Sequence, residues 1–170
     1  STPMSFQRKT YSALTAFMSV NSFPSNAYIF GISVDTSRGV IFAAVSYGKN
    51  VLLKIPMQVT HYSEITIVAG DISRTFDPLD ESYSSPPSSS DGFGTSALLS
   101  FPVSVTYDSF ADMIYFSESN IDITDSQLLG SLTIREYNPS TGEVRAYAGV
   151  NMNNQANVGD SVFRNGDSSV

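Results

Sequence analysis

The side chains able to do chemistry in this sequence are few. His61, in QVTHYSE, is the only histidine among 170 residues, and there is no cysteine. A lone histidine among polar turn residues reads as a structural or solvated group, and neither a Ser-His-Asp nor a multi-histidine metal arrangement is read from it. Without thiols, disulfides and thiolate catalysis are excluded. Asp122 and Asp125, in NIDITDSQ, come nearest to a hard-cation pair, but their spacing does not match an EF-hand loop and a solvated loop is the simpler reading. Gly92 and Gly94, in DGFG, would cradle a phosphate only with a strand before them and a helix N-terminus after them. A Ser/Pro tract precedes and a strand pattern follows, so they read as a backbone turn. Glu118, Glu136 and Glu143 are scattered, and no carboxylate pair for glycoside hydrolysis follows from their spacing. Asp35 and Asp108 each close a strand pattern, where an aspartate accepts backbone N–H bonds from the following turn, a ligand or calcium role being the alternative. The reading is therefore no catalytic residue, no cofactor and no metal.

Bulk properties narrow the classes further. Nine basic residues against 16 acidic ones give a net charge of -7, and the basic residues form no cluster. A nucleic-acid surface needs a basic stripe, so nucleic acid is not among the expected partners. The longest strongly apolar run, VIFAAV at 40–45, is far short of the roughly 20 residues that cross a bilayer, so no transmembrane segment is expected. The chain opens on STPMSFQRKT, without an initiator methionine or a signal-peptide core, and reads as a mature or excised piece of something longer.

The elements that must position these residues follow a period of two. YIFGISVD (28–35), VIFAAVS (40–46), NVLLKI (50–55) and EITIVAG (64–70) are short, rich in β-branched and aromatic residues, and bounded by Gly, Pro, Asn, Ser or Asp. FPVSVTYD (101–108), MIYFSES (113–119), SLTIREY (131–137) and EVRAYAG (143–149) repeat the scheme. Helical periodicity competes only in TYSALTAFMSV (10–20), and almost no helix is expected. The two sets superpose: Asp35 and Asp108 stand 73 apart, as do Ile41 and Ile114, while Lys54 answers Arg135 at 81 and Gly70 answers Gly149 at 79. Between them runs DPLDESYSSPPSSSDG (77–92), too polar to pack, expected as an exposed loop without regular structure.

A strand ending in Asp, a turn, a strand, a small-polar loop, a strand with a basic residue, an NPSTG turn and a strand ending in Ala-Gly together resemble the NHL-type blade of a β-propeller. The resemblance is densest in SLTIREYNPSTGEVRAYAGV (131–150), ITIVAGD (65–71) and SSDGFGTSALLSFPVSVTYD (89–108), and VGDSVFRNGD (158–167) looks like the lead-in to a third blade. The repeat-defining positions are Asp35, Gly70, Asp91, Gly92, Pro102, Asp108, Gly142 and Gly149. The expected fold is all-β, with antiparallel four-stranded propeller blades incomplete within this chain, and a β-sandwich as runner-up. Its expected division is 1–22 as the end of a preceding blade, 23–76 as a first blade, 77–100 as a Ser/Pro/Gly-rich lead-in, 101–150 as a second blade and 151–170 as the start of a third.

What the resemblance implies is a rigid, non-catalytic binding or assembly module whose rim loops engage protein or glycan partners or further copies of the same chain. An extracellular or cell-surface setting is favoured over others, although no residue fixes the compartment. The alternatives are part of a six-bladed lactonase- or esterase-like hydrolase with an axial metal, and a repeated subunit of an extracellular fibre or sheath. Calcium or zinc is not expected to stabilise the chain. Two stacked blades are also expected to leave apolar end faces carrying Ile41, Ala43, Ile114 and Phe116, which further protein must cover.

Overall fold

The computed structural model describes residues 3–25, 27–74, 89–120 and 131–149. Helix α1 (Pro3–Val20) is followed by strands β1 (Tyr28–Asp35), β2 (Val40–Ser46), β3 (Val51–Pro56) and β4 (Thr66–Ala69), paired antiparallel in chain order as one sheet. Strands β5 (Gly92–Phe93), β6 (Pro102–Asp108), β7 (Met113–Asn120), β8 (Ser131–Tyr137) and β9 (Glu143–Ala148) form a second sheet in the order β5-β9-β8-β7-β6. The architecture is all-β and antiparallel. The second sheet has five strands rather than four because Gly92 and Phe93 add a short pairing to the outer strand β9. Asp122 and Asp125, the bulk of the Ser/Pro tract and the segment 151–170 lie outside the described residues.

The two sheets are one unit built twice, and their irregularities show it. In the first, the β1–β2 register slips between Ile29 and Gly31; in the second, the β6–β7 register slips between Pro102 and Ser104, again 73 positions on. A second slip falls between Leu52 and Leu53 and recurs between Ile134 and Arg135. Bulges re-aim side chains and are set by local sequence, so two recurring at matched positions fix the correspondence residue by residue. They also correct one pairing expected from sequence. Lys54 stands opposite Phe42 and Glu136 opposite Tyr115, so Lys54 corresponds to Glu136, at an offset of 82 rather than 81. Arg135, opposite Phe116, corresponds to Leu53, opposite Ala43. A slip of one residue moves a side chain to the other face, and a basic residue on each strand concealed it.

Alternation then sorts the faces. Phe42, Ala44 and Leu52 of the first sheet pack with Ile114, Phe116 and Val144 of the second in one buried cluster. The inner strands β1 and β6 approach so closely that a Cβ at Gly31 would lie 2.8 Å from the Cα of Ser104, a separation only glycine permits. Ser46 Oγ donates to the Pro102 carbonyl at 2.6 Å, and the Tyr107 N–H donates to Ser33 Oγ at 2.9 Å, tying the sheets at two levels.

The opposite face of the first sheet is covered by α1. Ala13 and Phe17 are buried against Ala43, Val45, Leu53 and Ile55, with Leu14 and Met18 packed beside them. These four helical positions recur at one and three to four residues, the spacing of a single helix face. The helix ends where Ser22 adopts φ 54° and the Phe23 N–H reaches back to the Met18 carbonyl at 2.9 Å, a Schellman-type stop with serine where glycine is usual.

Two expectations are thereby corrected. Residues 3–20 are helix, against the expectation of almost no helix, because an apolar sheet face supplies the packing that their modest helix propensity does not. Ile114 and Phe116 are not on an open end: they lie between the sheets, while Ala43 lies under α1 and Ile41 packs beside it.

Candidate functional site

The repeat-defining residues serve structure. Asp35 is fully buried; its Oδ1 accepts from the Ser37 N–H at 2.9 Å, Ser37 Oγ at 2.6 Å and the Arg38 N–H at 3.1 Å, and its Oδ2 from the Arg38 guanidinium at 2.7 Å. Burial alone raises the carboxyl pKa, but these bonds prevail and lower it from the ordinary 3.8 to about 2. Arg38 also reaches Asp112, in the β6–β7 turn, at 2.5 Å, and Asp112 accepts from Tyr107 Oη at 3.1 Å, so one end of the two-sheet unit is clamped. Asp108 repeats the turn geometry, accepting from the Phe110 and Ala111 N–H groups at 2.8 and 3.2 Å. Gly70, Gly142 and Gly149 all have positive φ, and Gly70 in addition faces the Asn50 carbonyl so closely that no Cβ fits. Pro102 is buried at the start of β6, and Gly92 backs onto Ala97 in the lead-in.

Asp91 has a larger part than a turn residue. Its Oδ1 accepts from the Ala146 N–H at 3.0 Å and from Arg135 at 2.8 Å. Arg135 and Glu118, each about 2% exposed or less, face one another at 3.2 Å beneath the lead-in loop. Glu118 further accepts from the Ser100 N–H at 3.0 Å and from Ser89 Oγ at 2.6 Å, and Arg135 also contacts Ser89. Burial pushes the Glu118 carboxyl above its ordinary range against the pull of Arg135. The Arg135 Nε is buried without a partner. This network fastens the lead-in loop to the second sheet.

His61 caps the short 3-10 turn Tyr62–Glu64: its Nδ1 accepts from the Ser63 N–H at 3.3 Å, while Glu64 accepts from the His61 N–H at 2.7 Å. Glu136 pairs with Arg145 on the outer face of the second sheet. Among the described residues, no three of His, Cys, Asp and Glu stand together as a metal-holding group, and no helix is long and apolar enough to cross a membrane. A shallow hollow lined by Gly39, Pro56, Met57 and Gln58 contains no titratable side chain.

An aromatic cluster lies at the end opposite the Arg38 clamp, and sequence reasoning missed it. Tyr47, in the β2–β3 loop, and Phe101, in the lead-in to β6, both adopt left-handed backbone, φ 63° and 45°, with ring centroids 5.6 Å apart. Bulky residues rarely take this conformation, at about 1–3 kcal/mol each, and such strain concentrates at functional sites. Against Tyr47 pack Phe30 at 5.3 Å and Tyr28 at 6.2 Å, themselves 45% and 59% exposed. Ile32 and Val34, further along β1, are also exposed, but they stand opposite Ala43 and Ile41 on the face that α1 covers. The sequence held a partial signal, two aromatics spaced by two at a strand entry, but Tyr47 and Phe101 join them only once the sheets stack. No family model matches the chain, and no curated protein matches it.

Proposed function

We propose that the chain is a non-catalytic binding or assembly module built from NHL-like propeller blades, and that it engages a protein or glycan partner through the aromatic surface of Tyr28, Phe30 and Tyr47. The observation that carries this reading is the pair of left-handed aromatic residues: buried Phe101 backs Tyr47, and the exposed rings of Tyr28 and Phe30 pack on Tyr47, at a cost to the backbone. Exposed rings on a rigid sheet offer large contact area with little conformational entropy to lose, and suit either an apolar peptide side chain or the C–H face of a sugar. The recurring bulges support a repeated blade, and the buried Glu118–Arg135 network supports a lead-in loop held rigidly beside that surface.

The test is selection on the intact chain from a displayed peptide library and, separately, from a glycan array. Binders should lose about tenfold or more in affinity against the Tyr28→Ala/Phe30→Ala variant, since removal of central interface aromatics typically removes about 2 kcal/mol or more. Binders unaffected by that variant, or none from either source, contradict the reading.

A further inference from the structure

The outer face of the second sheet and the α1-covered face of the first are, we infer, the two halves of a head-to-tail contact between copies of this chain, with α1 as the occupant that keeps it shut. The inference goes beyond the aromatic surface and stands on the residue correspondence that the recurring bulges establish. Inside the chain, the first sheet meets the second through the face of Phe42, Leu52 and Val68. Their counterparts are Tyr115, Ile134 and Tyr147, on the face of the second sheet that points away from the first. Ile134 and Tyr147 remain 42% and 57% exposed there. Conversely, the second sheet presents Ile114 and Phe116 to the first, and their counterparts Ile41 and Ala43 lie on the face under α1.

Each sheet thus has a leading and a trailing face, and the one sheet-to-sheet contact present joins leading to trailing. Repeating that contact brings the open leading face of one copy to the trailing face of the next, which α1 occupies. The contact is heterologous, so it propagates to a ring or a filament rather than closing as a two-fold dimer. On the open face Glu136 and Arg145 already pair, so burying that face leaves neither of these two single. Of the α1 side chains described, Ala13 and Phe17 are buried and Leu14 and Met18 half-buried against the sheet. One difference shapes the intermolecular version. Ser104 stands where the first sheet has Gly31, so the inner strands of successive copies must sit further apart than β1 and β6 do.

The test is the solution mass of the full chain by light scattering at micromolar concentration, alongside unfolding curves. The parent chain should have the mass of one copy. Phe17→Asp, which detaches α1, should give concentration-dependent multimers, and adding Ile134→Lys and Tyr147→Lys should return the mass to one copy. Tyr11→Asp, on the exposed side of α1, should leave the mass unchanged. The proposal is overturned by a Phe17→Asp chain that stays a single copy with cooperative unfolding, or by multimers that survive the two lysines. It is equally overturned by a Phe17→Asp chain that no longer unfolds cooperatively, since α1 is then part of the fold rather than an exchangeable occupant, or by a parent chain already multimeric.

Discussion

The trailing faces of the two sheets share a backbone and differ in chemistry. In the first, Ala43, Val45 and Leu53 lie under a helix; in the second, the same places hold Phe116, packed with the first sheet, and Glu118 and Arg135, bonded to the lead-in loop. A helix brings side chains but no free backbone donors to a sheet, and those described at this contact, Ala13, Leu14, Phe17 and Met18, are apolar. The lead-in loop brings polar groups as well, and Ser89, Asp91 and the Ser100 N–H bond to a buried acid and base for which α1 offers no such partners among its described side chains. One repeated unit therefore tolerates either partner, and the residues at three positions record which partner it has.

The largest expected effect breaks that record on one side only. Glu118→Ala leaves buried Arg135 with the exposed Asp91 as its remaining carboxylate and should cost up to about 3–5 kcal/mol in urea unfolding. Glu118→Val with Arg135→Leu, which copies Val45 and Leu53, should recover most of the loss, because replacing a buried pair with apolar residues is often neutral. A double variant no more stable than the single one would mean that the two faces are not equivalent.

Next in size is the close approach of β1 to β6. Gly31→Ala should cost about 1–3 kcal/mol, since its Cβ has nowhere to go without moving backbone, whereas Ser104→Ala at the matched position, being exposed, should change stability by less than about 0.5 kcal/mol.

The two aspartate turns give a smaller, pH-dependent contrast. The folded-state pKa of Asp35 is depressed, so its stabilising contribution is present above 3.8 and is lost as pH falls toward about 2. Asp35→Asn should therefore be less stable than the parent at pH 7, with the difference closing over that window. Asp108→Asn, lacking the guanidinium partner, should show a smaller difference at pH 7. The smallest effect is at the stop of α1, where Ser22→Gly should stabilise by about 0.5–1 kcal/mol by relieving the left-handed serine, read as a small rise in melting temperature.

Much of this was legible in the sequence. Alternation and turn residues located β1, β2 and β8 at their observed bounds, and the other long strands to within a residue or two, because strands packed on a core need period-two side chains. The aspartate turns were equally readable, since Asx chemistry is local. What required the fold was non-local. Residues 3–20 carry the helix stripe Ala13, Leu14, Phe17 and Met18, but a stripe that short gains its stability only from the sheet beneath it. The third-strand register could not be set by matching Lys54 to Arg135, because the bulges that decide it are visible only in the pairing. The aromatic surface combines rings from β1, the β2–β3 loop and the lead-in to β6, and no spacing along the chain joins them.

The stacking sense of the two sheets is the point on which the account turns, and nuclear Overhauser contacts from the methyl groups of β2 read it directly. The account predicts that Ala44 sees rings and methyls of the second sheet, Phe116 and Ile114 among them, while Ala43 and Val45 see the Phe17 ring of α1 and nothing from the second sheet. Contacts from Ala43 or Val45 to Phe116, with Ala44 turned toward α1, would contradict it.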